Sequence, residues 1–360
     1  MQNDRYSSKE RVLAAFAHQE PDRVPVNYKS NPGIDQRLKQ HYGLAPDDHR
    51  GLKRALGVDF AGVNPPYRGP NEHEAPPDRR VDLWGVHTRY IEHDSGGYWD
   101  FCDFPLREAT PEQAQAWPMP DPDFYDYDAV RRAAENNADF CVHAGAAGLG
   151  CIINRVGKLR SMDQILIDLL TDDPVANILI RRMQDIQLAT MERCLDACRG
   201  SVDFLYMGED LSTQRGAMIS LDLYRSRIRP WHQRFVDLAK SHGLPVMFHS
   251  CGACSWAFED FIDMGIDVVE TLQPEAANMT PKYLKEIYGD RLSFHGCIPT
   301  GGVMAEGTPE EVAETCRDIL EVMMPGGGYC FAPSHQLQDN TPTENAVAMY
   351  DTAREHGVYR

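Results

Sequence analysis

The residues best suited to take part in chemistry are a histidine and a cysteine at the end of one apolar run. Residues 244–251 read LPVMFHSC, so His249 and Cys251 follow a stretch of strand formers. Because residues i and i+2 of an extended chain point to the same side, the imidazole and the thiol share one face where the strand ends. Nitrogen and sulfur donors held side by side are ligands that zinc prefers. The spacing predicts a zinc site; the alternative is a buried structural cysteine beside a hydrogen-bonded histidine.

A third protein ligand is needed if such a zinc site is catalytic, together with one open position. The sequence offers five candidates: Glu209, Cys254, Cys297, Cys330 and His335. Cys254 is expected to enter the loop or helix after the strand. Cys330 and His335 would face opposite sides of a regular strand, and Pro333–Ser334 mark the end of that strand, which places His335 at the rim. His335 is therefore favoured, with Cys330 and Cys254 left open as alternatives.

Polar residues also follow the other apolar runs in the second half of the chain. They occupy residues 208–210, 270–273, 295–297 and 333–335. In a parallel barrel the carboxyl ends of the strands meet at one face, where active sites are built. As a set these residues predict a polar pocket, although Glu209 or Glu270 alone could simply cap a neighbouring helix.

The elements that would position this pocket alternate between short apolar strands and capped helices. Strand-like runs cover residues 140–143, 204–206, 246–249, 268–271, 292–295 and 329–332. A capping box at Ser7–Glu10 opens a helix through Phe16, and residues 66–127 are typical of a hairpin and loops. No glycine-rich phosphate fingerprint follows an early strand. The pattern predicts a single α/β domain over residues 1–360, a (β/α)8 TIM barrel with an N-terminal helical and hairpin elaboration.

Composition restricts the possible partners and the compartment. The 360 residues contain 36 Lys and Arg against 54 Asp and Glu, a formal net charge of −18. Such a balance argues against nucleic acid or an anionic membrane as the partner. The chain opens without an apolar signal segment, and its ten cysteines are scattered. A cytoplasmic protein with reduced thiols is expected.

Several segments together resemble the uroporphyrinogen decarboxylase superfamily, over nearly the whole chain. They are residues 8–16, 21–26, 208–216, 248–252 and 325–335. The resemblance implies a TIM barrel. True decarboxylases carry an arginine-containing Trp–x–Met–Arg–Gln–Ala–Gly–Arg segment after the first strand, which grips the substrate carboxylates. Residues 26–32 here read VNYKSNP, without arginine, so the chain resembles the zinc- and corrinoid-dependent methyltransferase branch instead.

That branch implies zinc bound by His–x–Cys and a later cysteine. His249 and Cys251 match the first two ligands, and His335 stands where the later cysteine would fall. By the same resemblance, Glu209 would orient substrate or complete the zinc shell. Asp210 and Glu270 would support the ligands or handle protons.

The activity implied is methyl transfer between a small O-, S- or N-methylated molecule and the cobalt of a corrinoid (cobalamin) protein. Neither the substrate nor the direction of transfer is specified by the sequence. Two alternatives are a metal-independent decarboxylase of a small carboxylic acid, with His249 or His335 as general acid, and a non-catalytic ligand-binding barrel.

Overall fold

Parallel strands form the central sheet of the computed structural model, which describes residues 5–93 and 96–360. Within that part of the chain the strands are β1 Phe60–Val63, β2 Arg80–Val81, β3 His87–His93, β4 Gly96–Cys102, β5 Cys141–Gly145, β6 Phe204–Gly208, β7 Val246–His249, β8 Val268–Leu272, β9 Ser293–Ile298 and β10 Tyr329–Pro333. Seven of these described strands make one parallel sheet in the order β1-β5-β6-β7-β8-β9-β10. Strands of this sheet that follow one another along the chain are therefore neighbours, and parallel neighbours of this kind need crossover connections.

The sheet closes into a ring through a short segment between its first and last strands. Val26 forms a parallel bridge with Phe331 of β10, and the Asn27 amide donates to the Phe331 carbonyl at 2.9 Å. On the other side the Asp59 amide, beside β1, donates to the Val26 carbonyl at 2.8 Å. The segment around Val26 thus takes the place of an eighth strand. The predicted barrel is confirmed, with its first strand reduced to a single bridge.

Helices cover the outside of the barrel and extend its N-terminal end. In chain order they are α1 Ser8–Phe16, α2 Pro32–His41, α3 His49–Leu56, α4 Pro111–Ala116, α5 Tyr127–Asn136, α6 Ile153–Arg160, α7 Met162–Thr171, α8 Pro174–Ala197, α9 Leu221–Leu223, α10 Arg229–Ser241, α11 Phe258–Met264, α12 Pro281–Tyr288, α13 Val303–Glu306, α14 Pro309–Met323 and α15 Thr343–His356. The capping box predicted at Ser7 and Glu10 is present at the start of α1. None of the helices in the described ranges is long and apolar enough to cross a membrane.

The predicted hairpin region is a separate antiparallel sheet. Strand β3 lies between β2 and β4 and pairs with both of them. Residues 94 and 95, inside the region expected to form the hairpin, lie outside the described residues. So do residues 1–4, where no signal segment is expected.

Buried ion pairs tie the N-terminal segment to the barrel. The Arg11 guanidinium is almost fully buried and lies 2.8 Å from Asp22 and 2.7 Å from Asp59. Asp59 also accepts a hydrogen bond from the Val26 amide at 2.9 Å. The Arg11–Asp59 ion pair therefore holds the segment around Val26 in place. Burial would raise the pKa of Asp22, but Arg11 lowers it to about 2.

Candidate metal centre

Three donor side chains converge at the carboxyl ends of β6 and β7. His249 is the last residue of β7, and its backbone pairs with Gly208 at the end of β6. Its Nε2 atom lies 3.4 Å from Cys251 Sγ and 3.5 Å from Asp210 Oδ1. All three donor atoms lie within 4.8 Å of one another, the arrangement in the described part of the chain that could hold a metal ion.

The separations fit a tetrahedral zinc site. With bond lengths of about 2.0–2.3 Å to nitrogen, oxygen and sulfur, two ligand atoms of a zinc tetrahedron lie about 3.3–3.8 Å apart. The distances from His249 Nε2 to the other two donors match that separation. Asp210 is itself held in place, since Oδ1 accepts from the Cys251 amide at 3.0 Å and Oδ2 from Asn154 Nδ2 at 2.7 Å. The chemistry and the spacing of this group therefore fit zinc.

The other ring nitrogen of His249 is hydrogen-bonded to a buried carboxylate. Nδ1 lies 2.5 Å from Glu270 Oε2 and 2.7 Å from Thr271 Oγ1. Glu270 is fully buried, accepts from the Tyr206 hydroxyl at 2.7 Å and forms an ion pair with Lys29. A carboxylate on one imidazole nitrogen fixes the ring and leaves the other nitrogen available to a metal.

Electrostatics in the group follow from these contacts. Burial would lower the pKa of His249, but Glu270 and Asp210 raise it well above its ordinary value. Burial would raise the pKa of Glu270, and Lys29 followed by His249 holds it well below its usual range. For Asp210, contact with His249 likewise outweighs burial and lowers the pKa. Both carboxylates are therefore ionised at neutral pH.

A bulge in β8 brings two adjacent side chains to the same side of the strand. The pairing with β9 shifts between Glu270 and Leu272, and Thr271 has φ = 69°. Positive φ is strained for a β-branched residue and costs about 1–3 kcal/mol. The bulge lets Glu270 and Thr271 both contact His249, although alternation along a regular strand would separate them.

A cavity of about 420 Å³ opens beside this group. Its lining residues are Asn27, Tyr28, Lys29, Lys53, Phe60, Ala61, Gly62, His143, Ala146, Ala147, Tyr206, His249, Glu270, Thr271, His335 and Gln336. The volume suits a small molecule, and the wall combines apolar surface with a few polar groups, as ligand sites do. No arginine is among these lining residues, in agreement with the arginine-free segment 26–32.

His335 lies at the cavity but is not part of the three-donor group. It is exposed in the loop after β10, and its role as the third metal ligand stays a prediction. The alternatives Cys330 and Cys254 are fully buried and do not belong to the group either. Cys254 Sγ instead lies 3.4 Å from the Ser250 carbonyl. The third donor of the group is Asp210, a residue to which the sequence analysis gave only a supporting role.

Glu209 occupies a different environment from the one expected for a substrate-orienting residue. Its fully buried carboxylate accepts from the Ile152 amide at 2.5 Å and from the Ile153 amide at 3.2 Å, at the start of α6. Cys151 Sγ also donates to it at 3.1 Å. Burial raises the pKa of Glu209 to about 7. Glu209 thus caps a preceding helix and does not line the cavity, and a catalytic role for it stays untested.

Four residues near the centre escaped the sequence analysis. Lys29 lies in segment 26–32, which the sequence analysis used only because it contains no arginine. Asn154 lies in α6, where the sequence shows no motif. His143 and Tyr206 stand within two of the predicted strands, where the period-2 alternation was the available signal for a cavity-facing side chain.

Comparison with known proteins agrees with this fold. A family profile described as "Uroporphyrinogen decarboxylase (URO-D)" matches residues 109–356, more than half of the chain. A methylated-thiol–coenzyme M methyltransferase of Methanosarcina mazei is 28% identical over 146 residues, which span 40% of this chain and only 36% of that protein. A solved structure described as a methyltransferase from Methanosarcina mazei superposes with a TM-score of 0.65 at 16% identity, over 97% of this chain and 99% of the other, and so shares the fold. The chain belongs to the uroporphyrinogen decarboxylase (URO-D) family.

Proposed function

We propose that this protein is a zinc-dependent methyltransferase that moves a methyl group between a small methylated molecule and a corrinoid protein. The observation that carries the proposal is the convergence of His249, Cys251 and Asp210 beside a cavity at the carboxyl ends of the strands. The partial similarity to a methylated-thiol–coenzyme M methyltransferase supports the reaction class.

Zinc held by these side chains would supply Lewis acidity to the oxygen, sulfur or nitrogen that carries or accepts the methyl group. The third ligand in this proposal is Asp210, which its distance from His249 supports. His335 at the cavity mouth is the alternative, and the two are separable by substitution.

The chain's own residues orient the site and keep its charges fixed. Glu270 accepts the Nδ1 proton of His249 and holds the imidazole ring toward Cys251 and Asp210. Lys29 and the Tyr206 hydroxyl in turn hold Glu270. Burial and the neighbouring Glu270 raise the pKa of Tyr206 well above its ordinary value, so its hydroxyl stays protonated and donates. Binding in the cavity would displace water from the methylated heteroatom.

Metal analysis of the purified protein tests the proposal most directly. We expect near-stoichiometric zinc in the wild type and in Cys316→Ser, a buried thiol in α14 away from the cavity. His249→Ala and Cys251→Ala should lose the metal. A wild type that binds no zinc after incubation with the ion would contradict the proposal.

An activity assay then separates methyl transfer from decarboxylation. Methyl transfer should require a corrinoid protein, methylated if it is the donor and unmethylated if it is the acceptor, and should stop after treatment with a strong chelator. Release of carbon dioxide that survives the chelator would favour the decarboxylase instead.

A further inference from the structure

The cavity carries a positive charge that no carboxylate of the described chain balances. Its lining residues include one carboxylate, Glu270, which is already paired with Lys29. The second lysine, Lys53, makes no ion pair with a carboxylate in the described ranges. The protein as a whole carries a formal net charge of −18, so this local positive charge runs against its overall balance.

Lys53 is held in place without being neutralised. Its Nζ atom donates to the Phe60 carbonyl at 3.1 Å and lies 5.2 Å from the centre of the Phe140 ring. The carbonyl uses one of the three ammonium protons, which leaves donors for a ligand. Burial, and next the charge of Arg50, lower the pKa of Lys53, so a bound anion would remove an electrostatic penalty.

A second donor lies on the same wall. His143 belongs to β5, which is hydrogen-bonded to β1, and Phe60 is the first residue of β1. His143 Nδ1 is shielded from solvent and has no hydrogen-bond partner within the described residues. Burial lowers the pKa of His143 to about 3, so its ring is neutral and carries one N–H. Because Nδ1 is shielded, Nε2 is the nitrogen from which the ring can donate to a ligand in the cavity. One ammonium and one neutral donor match a single negative charge.

Lys53 and His143 lie on the side of the barrel formed by β1 and β5, away from the strand β8 that carries Glu270. In the eight-membered ring, β1 is separated from β8, which carries Glu270, by four places, and from β7, which carries His249, by three. The apolar residues Phe60, Ala61, Ala146 and Ala147 line the space beside Lys53 and His143. A molecule that fills the cavity would therefore meet a cation at one end and the metal ligands at the other.

From this arrangement we infer that the methylated substrate is a small carboxylic acid whose carboxylate binds Lys53, with His143 beside it, and whose methylated heteroatom lies toward His249. The inference rests on the proposed function for the methylated end and on the unpaired lysine for the acidic end. The apolar wall would contact the carbon skeleton between the two.

Calorimetric binding to the full-length protein tests the inference without any methyl transfer. The ligands are methoxyacetate, 3-methoxypropionate and 4-methoxybenzoate, each compared with its uncharged amide of nearly equal size. A hydrogen bond to a charged group predicts that at least one acid binds about 10-fold or more tightly than its amide. Lys53→Met should bring that ratio close to one, and Lys53→Arg should retain most of it. Lys282→Met, at an exposed lysine of α12, is the matched control.

Equal affinity for acid and amide in the wild type would overturn the inference, and so would failure of all three acids to bind. An unchanged ratio in Lys53→Met would also overturn it. If that variant does not fold, Lys53→Gln replaces it, and the wild-type ratio stands independently. A protein that prefers acids but holds no zinc would refute the proposed function alone, whereas a zinc protein without acid preference would refute this inference alone.

Discussion

Substitution of Glu270 by glutamine is the sharpest test of the arrangement around His249. Glutamine keeps the shape of the side chain and removes its charge. Three contacts change together, because the Glu270 carboxylate accepts from His249 Nδ1 at 2.5 Å, accepts from the Tyr206 hydroxyl at 2.7 Å and pairs with Lys29. The substitution therefore affects both the orientation of a metal ligand and the charge balance of the cavity.

Two magnitudes follow. Loss of a carboxylate that supports a ligating histidine weakens metal binding about 10- to 100-fold, or about 1.4–2.8 kcal/mol. Removing one partner of a buried ion pair lowers the free energy of unfolding by about 3–5 kcal/mol. We expect the lower end here, since the Lys29 side chain is 23% exposed and water can solvate the freed ammonium.

The assay is competition for zinc with a chromophoric chelator, together with urea unfolding of the metal-free protein. Because an imidazolium must release its Nε2 proton before it binds metal, zinc affinity is measured at neutral and at alkaline pH. Glu275→Gln, at an exposed carboxylate in the loop after β8, is the control and should behave like the wild type. If Glu270→Gln binds zinc as tightly as the wild type at both pH values, Glu270 does not position His249.

Three further outcomes are expected. Asp210→Ala should release zinc while His335→Ala retains it, as measured by metal analysis; the reverse result would make His335 the third ligand. Because the pKa of Asp22 is lowered to about 2, its stabilising ion pair with Arg11 is fully present above the unfolded-state pKa of about 4 and is lost as the pH falls toward 2. Asp22→Asn should remove up to about 2 kcal/mol of this acid dependence, and an unchanged acid-unfolding profile would contradict the assignment. Thr308→Ala removes the capping box of α14 and should lower the free energy of unfolding by about 1 kcal/mol in urea titrations, with Thr315→Ala, on the exposed face of the same helix, as the comparison.

Local sequence pattern was sufficient for the features that depend on neighbouring residues. Period-2 alternation predicted that His249 and Cys251 share one face, and their side chains lie 3.4 Å apart although β7 ends at His249. The capping box at Ser7 and Glu10 marked where α1 begins, because the hydrogen bonds involved lie within one turn. The repeated strand–helix order predicted the barrel, since a helix is the usual crossover between neighbouring parallel strands.

The composition of the site depended on contacts between distant parts of the chain. The register between β6 and β7 brings Asp210 to His249, and the bulge at Thr271 turns Glu270 and Thr271 to the same ligand. Lys29 reaches Glu270 across 241 positions of sequence. Spacing within one segment carries no information about such contacts, because strand register and bulges are set by how the whole barrel packs. The sequence alone therefore determined the barrel and the His249–Cys251 pair, and the tertiary structure decided which acids and cations surround that pair.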